Sequence, residues 1–219
     1  MIFENITLNL NTLWFLGYYI YILEKVKNIL GWLQKLKFIV NSLKVNILKD
    51  KFEIRTAKPE EFDEAAKVML EAYEEYSSVL SPEEWESYAA RILDVFSRQM
   101  ESDLIIAKKG EVIVGAVTFF PISENRTLVV WPPDWTGVRL IAVASQNRRE
   151  GLGKMLVAEC IKRSREQGAV AVGLHSNKFM EAAVEMYRNI GFVRIEEFDI
   201  KPNPKFTVMA FKFDLLNQA

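Results

Sequence analysis

A polar turn with two glycines carries the clearest chemical signal in this sequence. It runs from Arg148 to Lys154, after an apolar stretch and before a long amphipathic one. Glycines in the first turn of a helix let a ligand approach closely, and the N–H groups there lack helical partners. With the positive end of the helix dipole they can bind a pyrophosphate, and Arg148, Arg149 and Lys154 add positive charge. The alternative interpretation is a strand-to-helix turn whose glycines only tighten packing.

Two titratable side chains follow this turn. His175, the only histidine, ends an apolar stretch, and Tyr187 lies in the amphipathic stretch after it. A histidine pKa of about 6.5 suits proton transfer near neutral pH. Both residues also have structural interpretations, because a lone histidine is more often structural and an amphipathic tyrosine can pack between a helix and a sheet.

The order of patterns predicts the elements that hold these residues. Strands are expected over 52–57, 103–108, 111–120, 138–144, 170–174, 192–200 and 206–213. Helices are expected from Pro59, from a Ser81-Pro82-Glu83-Glu84 capping box to about Met100, and over 151–167 and 179–189. A strand, helix, strand order implies a right-handed parallel crossover. We therefore expect an α/β (α+β mixed) fold with a central mixed sheet of six or seven strands flanked by helices.

Together the two segments resemble the GNAT superfamily of acetyl-CoA-dependent N-acetyltransferases. The Arg148-x-x-Gly151-x-Gly153 turn and its helix look like the acetyl-CoA motif of that family. The pattern Ala183-x-x-x-Tyr187-x-x-x-Gly191-Phe192 looks like its following helix and turn. The resemblance covers residues 138–198 closely, and from Phe52 onward it agrees in element order.

This resemblance implies how the site works. The strand matching 141–143 separates from its neighbour and pairs with the pantetheine arm of acetyl-CoA, while the turn wraps the pyrophosphate. The implied cofactor-binding residues are Ile141, Ala142, Val143, Arg148, Arg149, Glu150, Gly151, Leu152, Gly153, Lys154 and Ala183. Tyr187 is implied as the general acid that protonates the departing thiolate. A backbone N–H near Val143 is a candidate donor to the oxyanion.

The sequence departs from the family pattern in three respects. Inside the turn, Arg149 and Glu150 stand where the family usually has a glycine and a basic residue, which changes side chains but not backbone donors. Met180 stands where many members have Asn, and Gly137 stands where many have an acidic residue two positions before the residue matching Arg139. The general base is therefore open among His175, Asp134, Glu124 and a chain of water molecules.

In this fold the acceptor lies opposite the cofactor, against the first two helices and the loop before the central strand. We expect an aromatic pocket there, with candidates Tyr73, Tyr76, Trp85, Tyr88, Trp131 and Trp135. The expected function is transfer of the acetyl group to a primary amine of a small molecule or peptide, by direct attack in a ternary complex. The alternative is an acyl-CoA-binding sensor or interaction module without catalysis.

Composition limits the partners and the compartment. The formal net charge of −1 gives no electrostatic signal for nucleic acid. The single cysteine, Cys160, excludes disulfides within the chain, lies in an apolar helical pattern and is expected in the core. No metal site is expected, and a reducing, cytoplasmic location is the simplest interpretation.

The first fifty residues differ in kind from residues 51–219, which we expect to form the acetyltransferase domain. They contain no Ala, Arg or Pro, and six lysines against three acidic residues make them net +3. The apolar run over 13–23 is too short to span a membrane, and its lysines follow it, unlike those of a signal peptide. Apolar residues spaced alternately four and three apart from Ile22 to Ile47 predict a helix. It is expected to pack on its own domain or a partner, to self-associate, or to lie on a membrane surface; otherwise it is an extension without a role.

Overall fold

A computed structural model describes residues 25–33, 35, 51–124, 127–203 and 206–216. The chain divides into two units, Met1–Asp50 and Lys51–Ala219. In the first unit, residues 25–33 and 35 are helical, and the apolar side chains described there are exposed: Val26, Ile29, Leu30, Trp32 and Leu33. The rest of the predicted repeat between Ile22 and Ile47 lies outside the described residues, so its role stays a prediction. Among the helices that are described, none has the length and apolar character needed to cross a membrane.

The second unit is built on a mixed sheet. Its strands in the described part of the chain are β1 (Glu53–Thr56), β2 (Asp103–Lys109), β3 (Val112–Phe120), β4 (Trp135–Val143), β5 (Ala171–Ser176), β6 (Val193–Arg194), β7 (Ile200–Asn203) and β8 (Phe206–Asp214). The spatial order is β1-β2-β3-β4-β5-β8-β6, with β7 paired to β8. The β4–β5 pair is parallel and the other pairs are antiparallel. The predicted α/β (α+β mixed) fold is confirmed.

The sheet has eight strands in the described residues, more than the six or seven predicted. The strand predicted over 192–200 is divided into β6, a 3-10 turn (Glu196–Phe198) and the start of β7. Asp199 causes the division. Its Oδ1 accepts from the N–H of Ala210 at 2.9 Å, and its other oxygen pairs with Arg194, so the carboxylate occupies a place in the ladder.

Five helices of the described domain flank this sheet: α1 (Phe62–Tyr73), α2 (Pro82–Leu93), α3 (Val95–Arg98), α4 (Leu152–Glu166) and α5 (Glu181–Ile190). The predicted capping box begins α2, because Ser81 Oγ accepts from Glu84 N–H and Glu84 accepts from Ser81 N–H. The prediction that this helix continues to about Met100 is wrong. Asp94 leaves the helical conformation with ψ 69°, and its carboxylate accepts from Ser97 N–H, which starts α3.

The core lies on both faces of β3, which is buried from Ile113 to Phe120. On one face, Met69 and its neighbours in α1 pack in one cluster with Ala116 and Ala142. On the other, a Cβ at Gly115 would lie 3.3 Å from Leu156 of α4. Successive residues of a strand point to opposite faces, so α1 and α4 cover β3 from two sides. This packing fixes β3 in place. Its neighbour β4 contains residues 141–143 of the predicted cofactor site.

Candidate active site

The parallel strands β4 and β5 separate halfway along their length. Their pairing runs from Trp135 opposite Ala171 to Val138 opposite Leu174. Beyond that point β4 stays paired to β3 as far as Val143, while β5 stays paired to β8 as far as Ser176. The backbone groups of residues 141–143 that face away from β3 therefore have no strand partner, as the resemblance implied.

A bulge accompanies this separation. The register between β3 and β4 shifts between Ala116 and Thr118, and Leu140 adopts a φ of 52°. A positive φ is costly for leucine, and bulges commonly occur next to active sites, where they redirect side chains. Here the bulge falls one residue after Arg139, at the start of the unpaired part of β4.

The turn after β4 leads into α4 through left-handed backbone. Gly151 is the N-cap of the helix with φ 89°, a conformation that glycine adopts without steric cost. Arg149 also has a positive φ, 64°. The first helical bond described here joins Met155 N–H to Gly151 O at 3.1 Å. The N–H groups of residues 152–154 precede it and have no intrahelical acceptor, so they form an anion-binding end.

Gly153 provides room for packing as well. A Cβ at this position would lie 3.2 Å from Met186 Sδ of α5 and 3.9 Å from Val143. The missing side chain lets α5 and the end of β4 approach the start of α4. Gly153 therefore supports both interpretations of the turn, close ligand approach and tight packing.

The guanidinium of Arg148 has partners within the domain. It donates to Glu75 at 2.7 Å, to Ala72 O at 3.0 Å and to Val143 O at 3.3 Å. It thus ties the end of β4 to the end of α1, and the mobile positive charge expected from this side chain is committed to those contacts. Arg149 and Lys154 are exposed.

Glu150 places a negative charge in the same turn. Its carboxylate pairs with Lys51, and that hydrogen bond holds the pKa of Glu150 below its usual value. The pairing lowers the repulsion that Glu150 would exert on a bound phosphate. Open N–H groups, a glycine N-cap and the unpaired edge at 141–143 together fit an acyl-CoA, whose anionic pyrophosphate and extended pantetheine arm need these two kinds of contact.

A cavity of about 550 Å³ begins where β4 and β5 separate. Its walls come from α2, the segment after α1, the loop before β4, the start of β7 and the middle of β8. The ends of the separating strands contribute Arg139, His175 and Asn177. Three of the aromatic residues predicted for the acceptor pocket, Tyr73, Tyr76 and Tyr88, line it.

The three tyrosines form a contiguous wall. The ring of Tyr73 meets those of Tyr76 and Tyr88 edge-on, with centroids 6.0 and 5.9 Å apart. Burial raises the pKa of Tyr76 to about 12 and raises the pKa of the other two as well. All three hydroxyls are therefore neutral donors at physiological pH, next to an apolar surface suited to the body of a ligand.

Tyr187 is buried in α5, with 6% of its surface exposed. It packs against Phe192 and Phe211, at centroid distances of 6.0 and 6.5 Å. Burial, followed by the proximity of Tyr76 and Tyr88, raises the pKa of its hydroxyl well above the usual value. The phenol therefore keeps its proton at neutral pH, which suits an acid and not a base.

His175 is held in one orientation. Its Nε2 lies 2.9 Å from Phe198 O, and its ring stacks on Trp131 with centroids 4.4 Å apart. Because a carbonyl only accepts, Nε2 carries the proton and Nδ1 keeps its lone pair. Burial, and more weakly the charge of Arg139, lower the pKa of His175. The imidazole is therefore neutral at pH 7, with one nitrogen able to accept a proton.

Trp131 explains why no acidic residue stands at position 137. A Cβ on Gly137 would lie 2.9 Å from the Trp131 ring, and one on Gly173 would lie 2.4 Å from it. These glycines are directly paired across β4 and β5, so the indole lies on a flat part of the sheet. The ring occupies the space of the expected side chain.

Several other predicted site residues lie elsewhere. Trp85, Trp131 and Trp135 are not among the described residues that line the cavity, and neither are Asp134 and Glu124. Trp131 is buried over the glycine pair, and Trp135 stacks on it at 6.1 Å. Cys160 is buried in α4, as predicted for a core residue. Ala183 is half-buried in the first turn of α5.

The segment between β5 and α5 contains Asn177, a cavity residue that was not predicted. Met180 takes the N-cap position without a side-chain cap, and its sulfur accepts from Ser176 Oγ at 3.8 Å. Asn177 lines the cavity, and its Oδ1 is buried without a hydrogen-bond partner among the described residues. A buried oxygen of this kind calls for a donor from a ligand or water. Arg139 was not predicted as a cavity residue either. Neither Asn177 nor Arg139 belongs to a local sequence motif that could have indicated it.

A split sheet with a helix N-terminus beside one strand and an acceptor cavity at the split is the arrangement of an acyl-CoA-dependent transferase. A sequence profile of the acetyltransferase (GNAT) family matches residues 66–192, more than half of the chain. The chain therefore belongs to the GNAT acetyltransferase family. The predicted family is therefore confirmed.

Individual relatives are distant. The chain is 26% identical over 148 residues to N-acetyltransferase 8B of Rattus norvegicus. It is 27% identical over 144 residues to the probable N-acetyltransferase camello of Xenopus laevis. These matches cover 63% and 60% of this chain, and 63% of each relative's length, so the chain spans under two thirds of these relatives.

Solved structures share the fold. The PaiA N-acetyltransferase of Thermoplasma acidophilum, in complex with coenzyme A, superposes with a TM-score of 0.57 at 16% identity, over 74% of this chain and 99% of that one. YncA of Salmonella typhimurium, with its cofactor acetyl-CoA, gives a TM-score of 0.52 at 15% identity, over 77% and 96% of the two chains.

Proposed function

We propose that this protein transfers the acetyl group of acetyl-CoA to a primary amine of a small molecule or peptide, by direct attack in a ternary complex. The observation that carries the proposal is the separation of β4 from β5 after Val138 and Leu174. It leaves an open backbone edge that continues into the anion-binding turn, and a 550 Å³ cavity begins at the same point. Two ligands can therefore meet at β4.

The donor would be held mainly by main-chain groups. Residues 141–143 offer the unpaired strand edge for the pantetheine amides, and the N–H groups of residues 152–154 offer the pyrophosphate site. Arg149, Glu150, Lys154 and Ala183 are proposed neighbours of the donor. Acetyl-CoA, when bound, would supply a thioester whose carbonyl carbon accepts the amine and whose sulfur leaves.

Two side chains would accept and donate the protons, His175 in the cavity lining and Tyr187, which is buried in α5 and is not among the described residues that line the cavity. An amine attacks only as the neutral base, so a proton acceptor is needed next to it. Nδ1 of His175 is proposed for this role because its ring is neutral and fixed through the Phe198 carbonyl. Tyr187 holds its proton and is proposed as the acid on the sulfur side.

Asn177 would orient the amine. Its Oδ1 is a buried acceptor that has no partner among the described residues, and the residue lines the cavity. Leaving such an oxygen unpaired costs about 1–3 kcal/mol, so an amine that donates to it gains affinity and a fixed direction.

Calorimetric titration with acetyl-CoA, together with thiol release over a mixed panel of amines, tests the proposal. Saturable binding and amine-dependent thiol release are expected. Binding without release for every amine would instead favour the alternative function, an acyl-CoA sensor or interaction module, and absence of binding would overturn the donor site.

We propose that the protein is cytoplasmic. We also propose that its first unit attaches it to a partner helix, to a second copy of the chain or to a lipid surface. The support is the exposed apolar side chains over residues 26–33 and the net charge of +3 over the first fifty residues. Sedimentation with anionic vesicles and analytical ultracentrifugation, with and without residues 1–50, test the lipid and self-association arms. A deletion that changes neither contradicts both arms.

A further inference from the structure

Two arginines line the acceptor cavity without an acidic partner among the described residues. Arg139 enters from β4 and Arg91 from α2. Nη1 of Arg139 donates to Leu128 O at 2.9 Å, and Nε of Arg91 donates to Ser87 O at 3.3 Å. The arginine ion pairs formed within the described residues belong instead to Arg55, Arg148, Arg163 and Arg194. Each cavity guanidinium therefore has further N–H donors besides the one bonded to a carbonyl, and that of Arg91 lies 5.7 Å from the centroid of the Tyr88 ring.

A third arginine adds to this positive charge. Arg98 is buried and donates to the carbonyls of Arg91 and Ile92 at the end of α2. Burial lowers the pKa of Arg139, Tyr88 raises it, and repulsion from Arg91 lowers it further. Burial and repulsion from Arg139 lower the pKa of Arg98. The negative charge of Asp94 raises the pKa of Arg98, but Asp94 is not among the causes that act on Arg139. Arg91 and Arg139 are exposed at the cavity, and their charges repel each other unless an anion joins them.

The carboxylates of the cavity lie at its other end. Glu83 and Glu84 stand in the first turn of α2, and Arg91 stands in its last turn. Eight residues of helix separate Glu83 from Arg91, which is about 12 Å along the axis. Glu84 is also engaged with Ser81 N–H. The cavity is therefore acidic at one end of α2 and basic at the other, where it meets β4.

Resting on the proposed function, we propose that the acceptor is an amine that also carries an anionic group, a carboxylate or a phosphate, bound by Arg139 with Arg91 beside it. A guanidinium can grip either anion through two parallel hydrogen bonds. Arg139 follows Val138, the last residue of β4 paired to β5, so the anion would lie next to the separated strands. The tyrosine wall would hold the apolar body between the anion and the amine.

Anion binding would also act on His175. The charge of Arg139 is among the causes that lower the pKa of His175. An anion on Arg139 cancels part of that charge, so the pKa of His175 rises towards its ordinary value and the ring becomes a stronger base. The correct acceptor would thereby improve its own deprotonation.

Amines that share one aminomethylphenyl frame test this inference, and the planar carboxylate and carboxamide match each other in shape. Calorimetry would compare 4-(aminomethyl)benzoate and 4-(aminomethyl)phenylphosphonate with the uncharged 4-(aminomethyl)benzamide. We expect at least one anion to bind roughly 10 to 100 times more tightly than the amide, as for a charge-assisted pair. The comparison of the two anions distinguishes a carboxylate site from a phosphate site.

Variants locate the effect. Arg139→Met should weaken anion binding far more than amide binding, and Arg139→Lys should keep part of the preference. Arg165→Met removes an exposed charge from α4 and is the matched control, with an unchanged preference expected. Urea titration checks that each variant folds. The comparison of anionic and uncharged amines on the wild-type protein does not depend on the variants.

Equal affinity for the anions and the amide, an unchanged preference in Arg139→Met, or failure of every probe to bind would overturn the inference. These outcomes are separable from failure of the proposed function. Acetyl-CoA that binds and acetylates uncharged amines without preference contradicts the anion site alone. Anion binding without acetyl-CoA binding contradicts the transferase alone.

Discussion

The turn that begins α4 and the cavity at the ends of β4 and β5 are constructed in different ways. The turn is contiguous in sequence, and the groups that it offers to a ligand are the backbone N–H groups of residues 152–154. The cavity collects side chains from Tyr73 to Val208, on elements far apart in the chain. A backbone site depends on chain conformation and tolerates many side chains, whereas a side-chain site changes with each substitution. One domain can thus keep its donor and vary its acceptor.

The two regions also differ in whether their charged side chains have partners of opposite charge. In the turn, Arg148 pairs with Glu75 and Glu150 pairs with Lys51, so two of its charges are satisfied within the domain. In the cavity, Arg91 and Arg139 have no carboxylate partner among the described residues. The turn also keeps Arg149 and Lys154 exposed, so the contrast is confined to its two paired charges.

Removing the Tyr187 hydroxyl is expected to have the largest effect. Tyr187→Phe keeps the packing against Phe192 and Phe211 but removes the proposed acid, so kcat should fall by about 10²–10⁴-fold while the Kd for acetyl-CoA stays within about threefold. Steady-state kinetics and calorimetry measure the two quantities. Tyr76→Phe, which removes a hydroxyl from the cavity wall, is the control and should lower kcat by less than about tenfold. A kcat equal to that of the wild type would remove Tyr187 from the mechanism.

The pH dependence of the reaction tests His175. With a lowered pKa, the neutral base persists below pH 6.5, so kcat/KM should fall only as the pH drops through a value under 6.5. His175→Gln should cost roughly 10²-fold and abolish this acid limb. Glutamine can still donate to Phe198 O, which limits structural change. An identical pH profile in the variant would assign the base elsewhere.

Gly151→Glu tests the backbone character of the donor site. A carboxylate at the N-cap would face the bound pyrophosphate, so the affinity for acetyl-CoA should fall at least about tenfold. Gly168→Glu is the matched control. Its φ of 72° resembles the 89° of Gly151, and a Cβ there meets nothing within 4 Å. If both variants bind acetyl-CoA like the wild type, the pyrophosphate does not lie at the start of α4.

Gly173→Ala tests the position of the Trp131 ring, which lies over the paired glycines Gly137 and Gly173. Its Cβ would lie 2.4 Å from the Trp131 ring, so we expect a loss of about 1–3 kcal/mol in the free energy of unfolding. Urea denaturation measures it. In a Trp131→Leu background the loss should shrink by more than half, because the smaller side chain leaves room. Equal losses in both backgrounds would show that the indole is not the obstacle.

The contrast between turn and cavity also explains what the sequence could predict. The turn, the helices after it and the hairpin of β2 and β3 depend on local spacing, and they lie where the sequence analysis placed them within a few residues. The helix expected to reach Met100 and the strand expected over 192–200 failed because single carboxylates, Asp94 and Asp199, take over local hydrogen bonds. Local patterns do not register such side-chain competition.

The cavity was predicted only in part for a related reason. Tyr73 ends α1, Tyr76 follows it in a 3-10 turn (Glu74–Val79) and Tyr88 lies in α2, so two consecutive helices with a short connection bring the three together. Arg139 and Asn177 enter the cavity only because β4 and β5 separate, and Trp131 leaves it because two paired glycines accept its ring. These placements depend on strand register, which is a property of the assembled sheet.

The central claim is that donor and acceptor meet at β4 and that an acetyl group passes between them. A single-turnover reaction with isotopically labelled acetyl-CoA, equimolar protein and matched anionic and uncharged amines, read by mass spectrometry, tests it most directly. We predict labelled acetyl on the amine nitrogen, with one thiol released per acetyl transferred. Labelled acetyl-CoA that stays intact in a saturated complex with every amine would contradict the account.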